Sequence, residues 1–328
     1  MDQLFALLLS AFLGILPMTV FALLLTWFDR FEREPFPLLF AVFIWGFLVA
    51  SAAALVLNTL FGASIFLLTG NQVLAIDATA VLFGPVVEES VKGFGVLIVF
   101  FFFRKEIDSV LDGIVYGGLV GFGFAAAENF IYVYSGYGLG GIIGSLAVAF
   151  LRIITVPFLH AMLTAVIGIG LAHASLGRGR YRLAAPFIGY GAAISFHAFH
   201  NLLAILGNPF LVLLSFLLDW SGFIAMALLL FYLMHREGET LRGYLEEEVR
   251  IGTITGSQCS MVSSMRSQAA RKTGIPIEPS AKKKRLSDLC SRIAYEKHEL
   301  EVHEKSDETL KRIRELRGEA KALSKEIL

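Results

Sequence analysis

Cysteine is almost missing from this chain: its 328 residues include two, Cys259 and Cys290, both in the polar last third. Two thiols so placed make no disulfide framework, and no CxxC or Cys/His spacing offers a structural zinc site. Charge is also scarce over most of the length. Residues 1–235 hold nine Lys or Arg and twelve Asp or Glu, against 28 of each in the whole chain. Apolar residues fill the difference. The composition is 56% hydrophobic and the mean hydropathy is +0.68, which places the chain in the membrane class. The net charge of zero hides two objects, a lipid-embedded body and a polar tail. It gives no case for a nucleic-acid partner, and the lipid bilayer is the first partner expected. Residues 4–28 lack a basic leader and a small-residue cleavage site, and their apolar run is too long for a signal peptide, so they are expected to stay as a span.

Seven segments are long enough to cross a hydrocarbon core of roughly 30 Å, which takes about 20 apolar residues. They are residues 4–28, 36–60, 76–103, 112–134, 142–173, 183–206 and 210–234. The fold class expected is all-α: a polytopic bundle of about seven membrane helices with a helical cytoplasmic tail. Residues 61–75 are too short for an eighth span and suit a re-entrant or interfacial piece. The loops after spans 1, 3 and 5 carry Arg30 and Arg33, Arg104 and Lys105, and Arg178, Arg180 and Arg182; those after spans 2, 4 and 6 carry none. This alternation puts the N-terminus outside and the tail in the cytoplasm. Three regions follow: a membrane domain over 1–235, a juxtamembrane helix and Ser/Gly-rich flexible linker over 236–280, and a helical or weakly coiled-coil tail over 281–328. In the tail Leu286, Leu289, Ile293 and Leu300 make one seam, and Leu316, Ala320, Leu323 and Ile327 a second, suited to self-association, a partner or a helical hairpin.

Four spans carry ionisable groups deep in apolar runs, where such groups are functional by default. They are Glu88, Glu89 and Lys92 in "EESVK"; Glu128, followed by Asn129; His160; and His197 and His200, followed by Asn201. Glu88, Glu128, His160 and His197 each lie 14 or 15 residues from the cytoplasmic end of their span, roughly 21–23 Å at 1.5 Å per residue. Two spans run inward and two outward, so the shared depth argues for one site nearer the outer leaflet, with spans 1, 2 and 7 outside it. Glu88 and Lys92 are i,i+4 and suit an ion pair. Pro85 and Pro157 free backbone groups beside the cluster. Arg152, Asp77 and Asp219 lie near expected outer ends, where snorkelling or capping accounts for them. Asp108 and Asp112 suit the start of span 4 as caps. Gly117 and Gly121 give span 4 a close-packing face.

Carboxylates, histidines and an amide are what a water-activating hydrolase needs. The same groups suit Zn²⁺, although no HExxH exists, and they suit a proton- or cation-coupled transporter. No serine or cysteine nucleophile has a partnered base. A scaffold acting through its tail is the third reading. Spacing alone leaves these open.

"EESVK" (88–92), "FAAAEN" (124–129), mid-span His160 and "HAFHN" (197–201) resemble, in order, the blocks of the PrsW family of intramembrane proteases, related to the CAAX-prenyl endopeptidase group. The resemblance covers about residues 30–235. It implies an integral protein of a bacterial plasma membrane that acts in regulated signalling, cutting a single-span substrate near its extracytoplasmic side, for example an anti-sigma factor at site 1. It implies a metal-free, glutamic-type site in which Glu88, Glu89, Glu128, His160 and His197 are catalytic and Lys92, Asn129, His200 and Asn201 support them. No cofactor is then expected. The alternative is Zn²⁺ held by Glu88, Glu128, His160 and His197.

Overall fold

The computed structural model describes residues 2–28, 34–107, 109–176, 180–263, 281–302 and 307–327, and among them every regular element is a helix. The chain divides into two units, Met1–Thr26 with Glu34–Leu229, and Trp27–Arg33 with Leu230–Leu328.

A helix lies over each expected segment of the first unit. Helix α1 is Asp2–Thr26 and α2 is Phe36–Thr69. Helix α3 runs over 72–102. The stretch Val110–Phe150 breaks at Gly140 and Gly141, where φ is −149° and +58°. It is therefore two helices, α4 (110–139) and α5 (142–155). Helix α6 is Leu159–Leu176, α7 is Ala185–Ile205 and α8 is Pro209–Arg250. Residues 61–75 form no separate element. Residues 61–69 extend α2, Gly70 caps it at a φ of 66°, and Asn71 starts α3 by accepting from Leu74 N–H at 3.1 Å. At the start of α4, Ser109 and Asp112 close a capping box, the role expected of Asp112; Asp108 lies outside the described residues.

Among the described residues, Asp2–Thr26, Phe36–Thr69, Val110–Leu176 and Pro209–Arg250 are long and apolar enough to cross a membrane. The third of these turns back on itself, since the Ser145 hydroxyl in α5 donates to the Val133 carbonyl in α4 at 3.0 Å. Helices α3 and α7 fall outside this set because they carry the polar residues Glu88, Glu89 and Lys92, and His197, His200 and Asn201.

Helix α4 is the axis of the unit, buried without interruption from Leu111 to Ala127. Its glycines set the spacing. A Cβ at Gly113, Gly117 or Gly121 would collide with the backbone of α6 at Gly168, Thr164 or His160. A Cβ at Gly123 would strike the Phe43 carbonyl of α2. The expected close-packing face is therefore real and longer than the Gly117–Gly121 pair. Polarity is inverted relative to a water-soluble domain. Leu68 and Leu139 are 86% and 91% exposed, while Glu89 and Lys92 are 0% exposed. Such a surface suits hydrocarbon, not water.

The second unit has its own core. The end of α8, α9 (Gly256–Ser263), α10 (Ala281–Val302) and α11 (Asp307–Ile327) bury Leu245, Cys259, Val262, Leu286, Cys290, Ile293, Leu316 and Ala320 together. The expected seams close on one another as a hairpin of α10 and α11, one of the forms expected. The expected linker is in part structured. Thr255 caps α9 through Gln258 N–H at 3.2 Å, and the Gln258 side chain reaches the Ser324 carbonyl of α11 at 3.1 Å. Residues 264–280 lie outside the described set. Glu248 is fully buried, and Lys297 at 2.5 Å and Arg317 at 2.8 Å neutralise it.

Two outcomes test this packing. Gly121→Leu should lower the thermal midpoint in detergent sharply, since overpacking costs about 1–3 kcal/mol or more, whereas Gly191→Ala, at a site with nothing within 4 Å, should not. Burial pushes the Cys290 thiol up to about 12 and the Cys259 thiol above its ordinary range. Both are then neutral thiols at pH 7, and maleimide should label neither until denaturant opens the tail.

Candidate active site

The site is built where α3, α4, α6 and α7 meet, and its chemistry follows from how each helix is interrupted. In α3 the turn Thr79–Phe83 is a π segment, and Gly84 N–H donates to Thr79 O instead of Ala80 O. The next residue, Pro85, has no N–H, so that register leaves the Ala80 carbonyl without a backbone donor. Asn201 of α7 fills the vacancy: its Nδ2 donates to Ala80 O at 2.8 Å. One turn later α3 presents Glu88, Glu89 and Lys92. The indole of Trp45 in α2 packs where a Cβ at Gly95 would stand, and its N–H donates to Val91 O at 3.0 Å, which holds this turn in place. On the opposite wall α5 ends in the π segment Leu151–Thr155, the chain breaks at Val156 before Pro157, and α6 restarts at Leu159. His160 thus stands in the first turn of a helix.

The side chains form one connected set. Lys92 Nζ donates to Glu89 Oε1 at 2.6 Å and to His160 Nδ1 at 3.1 Å, and lies 4.5 Å from the centre of the Phe124 ring. An ammonium only donates, so His160 Nδ1 carries the lone pair and Nε2 the proton. That Nε2–H donates to Glu128 Oε2 at 2.7 Å. Arg152 also binds Glu128 Oε2, donates through Nε to Asn129 Oδ1 at 2.9 Å and stacks 4.5 Å above Tyr132. Across the site His197 Nδ1 donates to Glu89 Oε1 at 2.9 Å, which leaves the Nε2 lone pair facing Glu88 Oε2 at 3.8 Å. Asn58 of α2 donates to Glu88 Oε1 at 3.3 Å. Glu88 Oε2 is buried and has no hydrogen-bond partner among the described residues.

Glu88, Glu128, His160 and His197 line a cavity of about 850 Å³ that reaches Phe66 and Gln72 beside the α2–α3 turn and Ile205 at the end of α7. Glu89 and Lys92 stand behind its wall. The four residues expected at one depth thus do meet. Asn129 holds Arg152, and Asn201 holds α3.

Four expectations need correction. Lys92 pairs with Glu89 at i,i+3, not with Glu88, because its ammonium turns toward His160. Span 2 is not outside the site: α2 supplies Asn58 and one wall of the cavity. Arg152 does not snorkel, and Asp219 is not a terminal cap. Asp219 is buried on α8, with His200 Nδ1 3.1 Å from its Oδ1 and 2.8 Å from its Oδ2. A signal for Arg152 was available, since Asn129 and Arg152 are equally far either side of Gly140–Gly141. An antiparallel hairpin brings them level. For Asn58 the signal was a lone amide inside an apolar run.

Residues 34–234 match the family described as "PrsW family intramembrane metalloprotease". The chain belongs to this family. Over 162 residues it is also 30% identical to Protease PrsW of Geobacillus kaustophilus (strain HTA426), a match over 49% of this chain and 65% of that relative, just under two thirds of its length. No solved structure matches. The PrsW description names a metal, and the donors fit one when the His160 proton moves from Nε2 to Nδ1, which releases Nε2 from Glu128. Glu88, His160 and His197 each offer a ligand atom, all within 4.8 Å of one another. Two imidazoles and a carboxylate are a common catalytic zinc set. Glu89 behind His197 is the carboxylate that commonly orients a ligating imidazole.

Removing one member of a buried pair strands the other. Lys92→Met should destabilise the folded protein by about 3–5 kcal/mol, read as a fall in thermal midpoint. Lys92→Met with Glu89→Gln should recover part of that loss.

Proposed function

We propose that this PrsW-family chain is a membrane-embedded endopeptidase that hydrolyses a peptide bond of a single-span membrane protein. One observation carries the reading. Glu89 pairs with Lys92 and Glu128 with Arg152, while Glu88, which lines the cavity, makes no ion pair with a lysine or arginine among the described residues, and its Oε2 stands unsatisfied beside the free lone pair of His197. A carboxylate left so in a low-dielectric site awaits a cation or a reacting water. The metal-free site implied by the sequence uses the same residues. The donor set supports the alternative, Zn²⁺, with Glu88, His160 and His197 as ligands and with Glu128, the fourth ligand of the expected set, left free for proton transfer. The chemistry such an ion supplies when bound is polarisation of the scissile carbonyl and a water with a pKa of about 7.

The protein's own groups do the rest. Glu89 orients His197 through Nδ1, and Lys92 orients His160. Arg152 fixes Glu128 by Oε2, and the other oxygen, Oε1, takes a proton from the attacking water. The wall formed by α2 receives the substrate and excludes lipid. In this reading seven helices cross the bilayer, the N-terminus lies outside, the tail is cytoplasmic and the cut falls near the extracytoplasmic face of a bacterial plasma membrane. An anti-sigma factor is the substrate type proposed. The block order shared with CAAX-prenyl endopeptidases belongs to the same proposal.

With purified protein and a single-span substrate, Glu88→Gln and His197→Ala should each lower cleavage at least about 100-fold, the scale of lost acid–base or ligand chemistry, while the thermal midpoint persists. Wild type should carry one zinc per chain, and neither variant should. Absence of cleavage by the wild type would sink the protease reading, and cleavage that survives both substitutions would sink the assignment of Glu88 and His197. Full activity in zinc-free protein would return the site to the metal-free form.

A further inference from the structure

The scheme above leaves unused a buried titratable pair beside the cavity. His200 lines the same cavity as Glu88 and His197, and Asp219 stands behind it on α8. Asp219 is 5% exposed, and among the described residues no lysine or arginine bonds to it. A carboxylate enclosed in this way at an apolar depth is costly unless it serves its one polar partner. Its geometry defines that service. The carboxylate holds the Nδ1–H of His200, so the other ring nitrogen, Nε2, is left to face the cavity. His197 and His200 are i,i+3 on α7, about 5–6 Å apart at Cβ, so the two imidazoles flank the same space.

Peptide hydrolysis also lacks one participant. The nitrogen of a peptide is a poor leaving group until it is protonated, so a base for water is half of what the reaction needs. Glu128 Oε2 is occupied by Arg152 and His160, and Glu89 Oε1 by Lys92 and His197. We propose that His200 is a catalytic acid that protonates the departing amine, with Asp219 as the positioning residue behind it. The inference rests on the endopeptidase reading. Water oxygen bonds to the carbonyl carbon and gives its proton to Glu128 Oε1. The C–N bond then breaks, its electron pair stays on nitrogen, and that nitrogen takes the proton from His200 Nε2. His200 regains a proton from water in the cavity, and Glu128 loses one to it. Asp219 stays ionised and supplies the counter-charge, as the buried aspartate does in a Ser-His-Asp triad.

The test is the dependence on leaving group. Two single-span peptides are prepared, one with the natural scissile amide and one with a thioester at that position, whose thiolate leaves without an acid. His200→Asn should lower amide cleavage at least about 100-fold and thioester cleavage by less than about 3-fold. Asp219→Asn should lower amide cleavage at least 10-fold with the same sparing of the thioester. It provides the test if His200→Asn fails to fold. Glu88→Gln should abolish cleavage of both peptides, which checks the underlying reading separately. Equal losses on amide and thioester in the His200 and Asp219 variants, or no loss on either, would overturn the role of His200 while leaving that of Glu88 intact.

Discussion

The Lys92 ammonium can neutralise one of the three carboxylates around it, and the shape of the site follows from that shortage. In a low-dielectric interior a charge persists only if it is paired and its hydrogen bonds are met. Lys92 serves Glu89 and, through its second hydrogen bond, sets the tautomer of His160. Arg152 must then come from another helix to serve Glu128, which requires the chain to fold back at Gly140–Gly141. Among the described residues Glu88 receives a hydrogen bond only from the amide of Asn58. The least compensated group also faces the cavity, so charge pairing and reactivity have one cause.

The same logic explains what could be read from the sequence. Apolar run length located the helices, because hydrocarbon forces every backbone group into a helix regardless of detail. Depth along each run grouped Glu88, Glu128, His160 and His197, because rise per residue is nearly constant. Partner choice was not legible. Glu88 and Glu89 are both within reach of Lys92, and only the position of His160 on a different helix decides between them. Arg152 and Asp219 were judged by distance from a span end, a one-dimensional measure that takes no account of a neighbour lying level with them. The two π segments near the site shift the register by a residue, and period-3.6 reasoning does not see them.

The start of the linker was misread for a different reason. The Ser, Gly and Thr content over 251–280 reads as a flexible connection, yet Cys259 and Val262 are buried against α10 and α11. Composition reports the exposed residues of a short helix as readily as those of a coil. The hidden face is two or three residues wide, too few to produce a periodic signal.

Asn201 shows how far such bookkeeping of backbone groups extends. Proline at 85 and asparagine at 201 are two halves of one joint, divided between helices that are far apart in the chain. The first removes a donor and the second returns it. Either half without the other would leave an amide or a carbonyl stranded in hydrocarbon. The asparagine that ends "HAFHN" thus works as a splint across a fracture in the helix that carries Glu88. It keeps that fracture open and rigid, so the carboxylate turn of α3 is aimed by a residue that never touches a carboxylate.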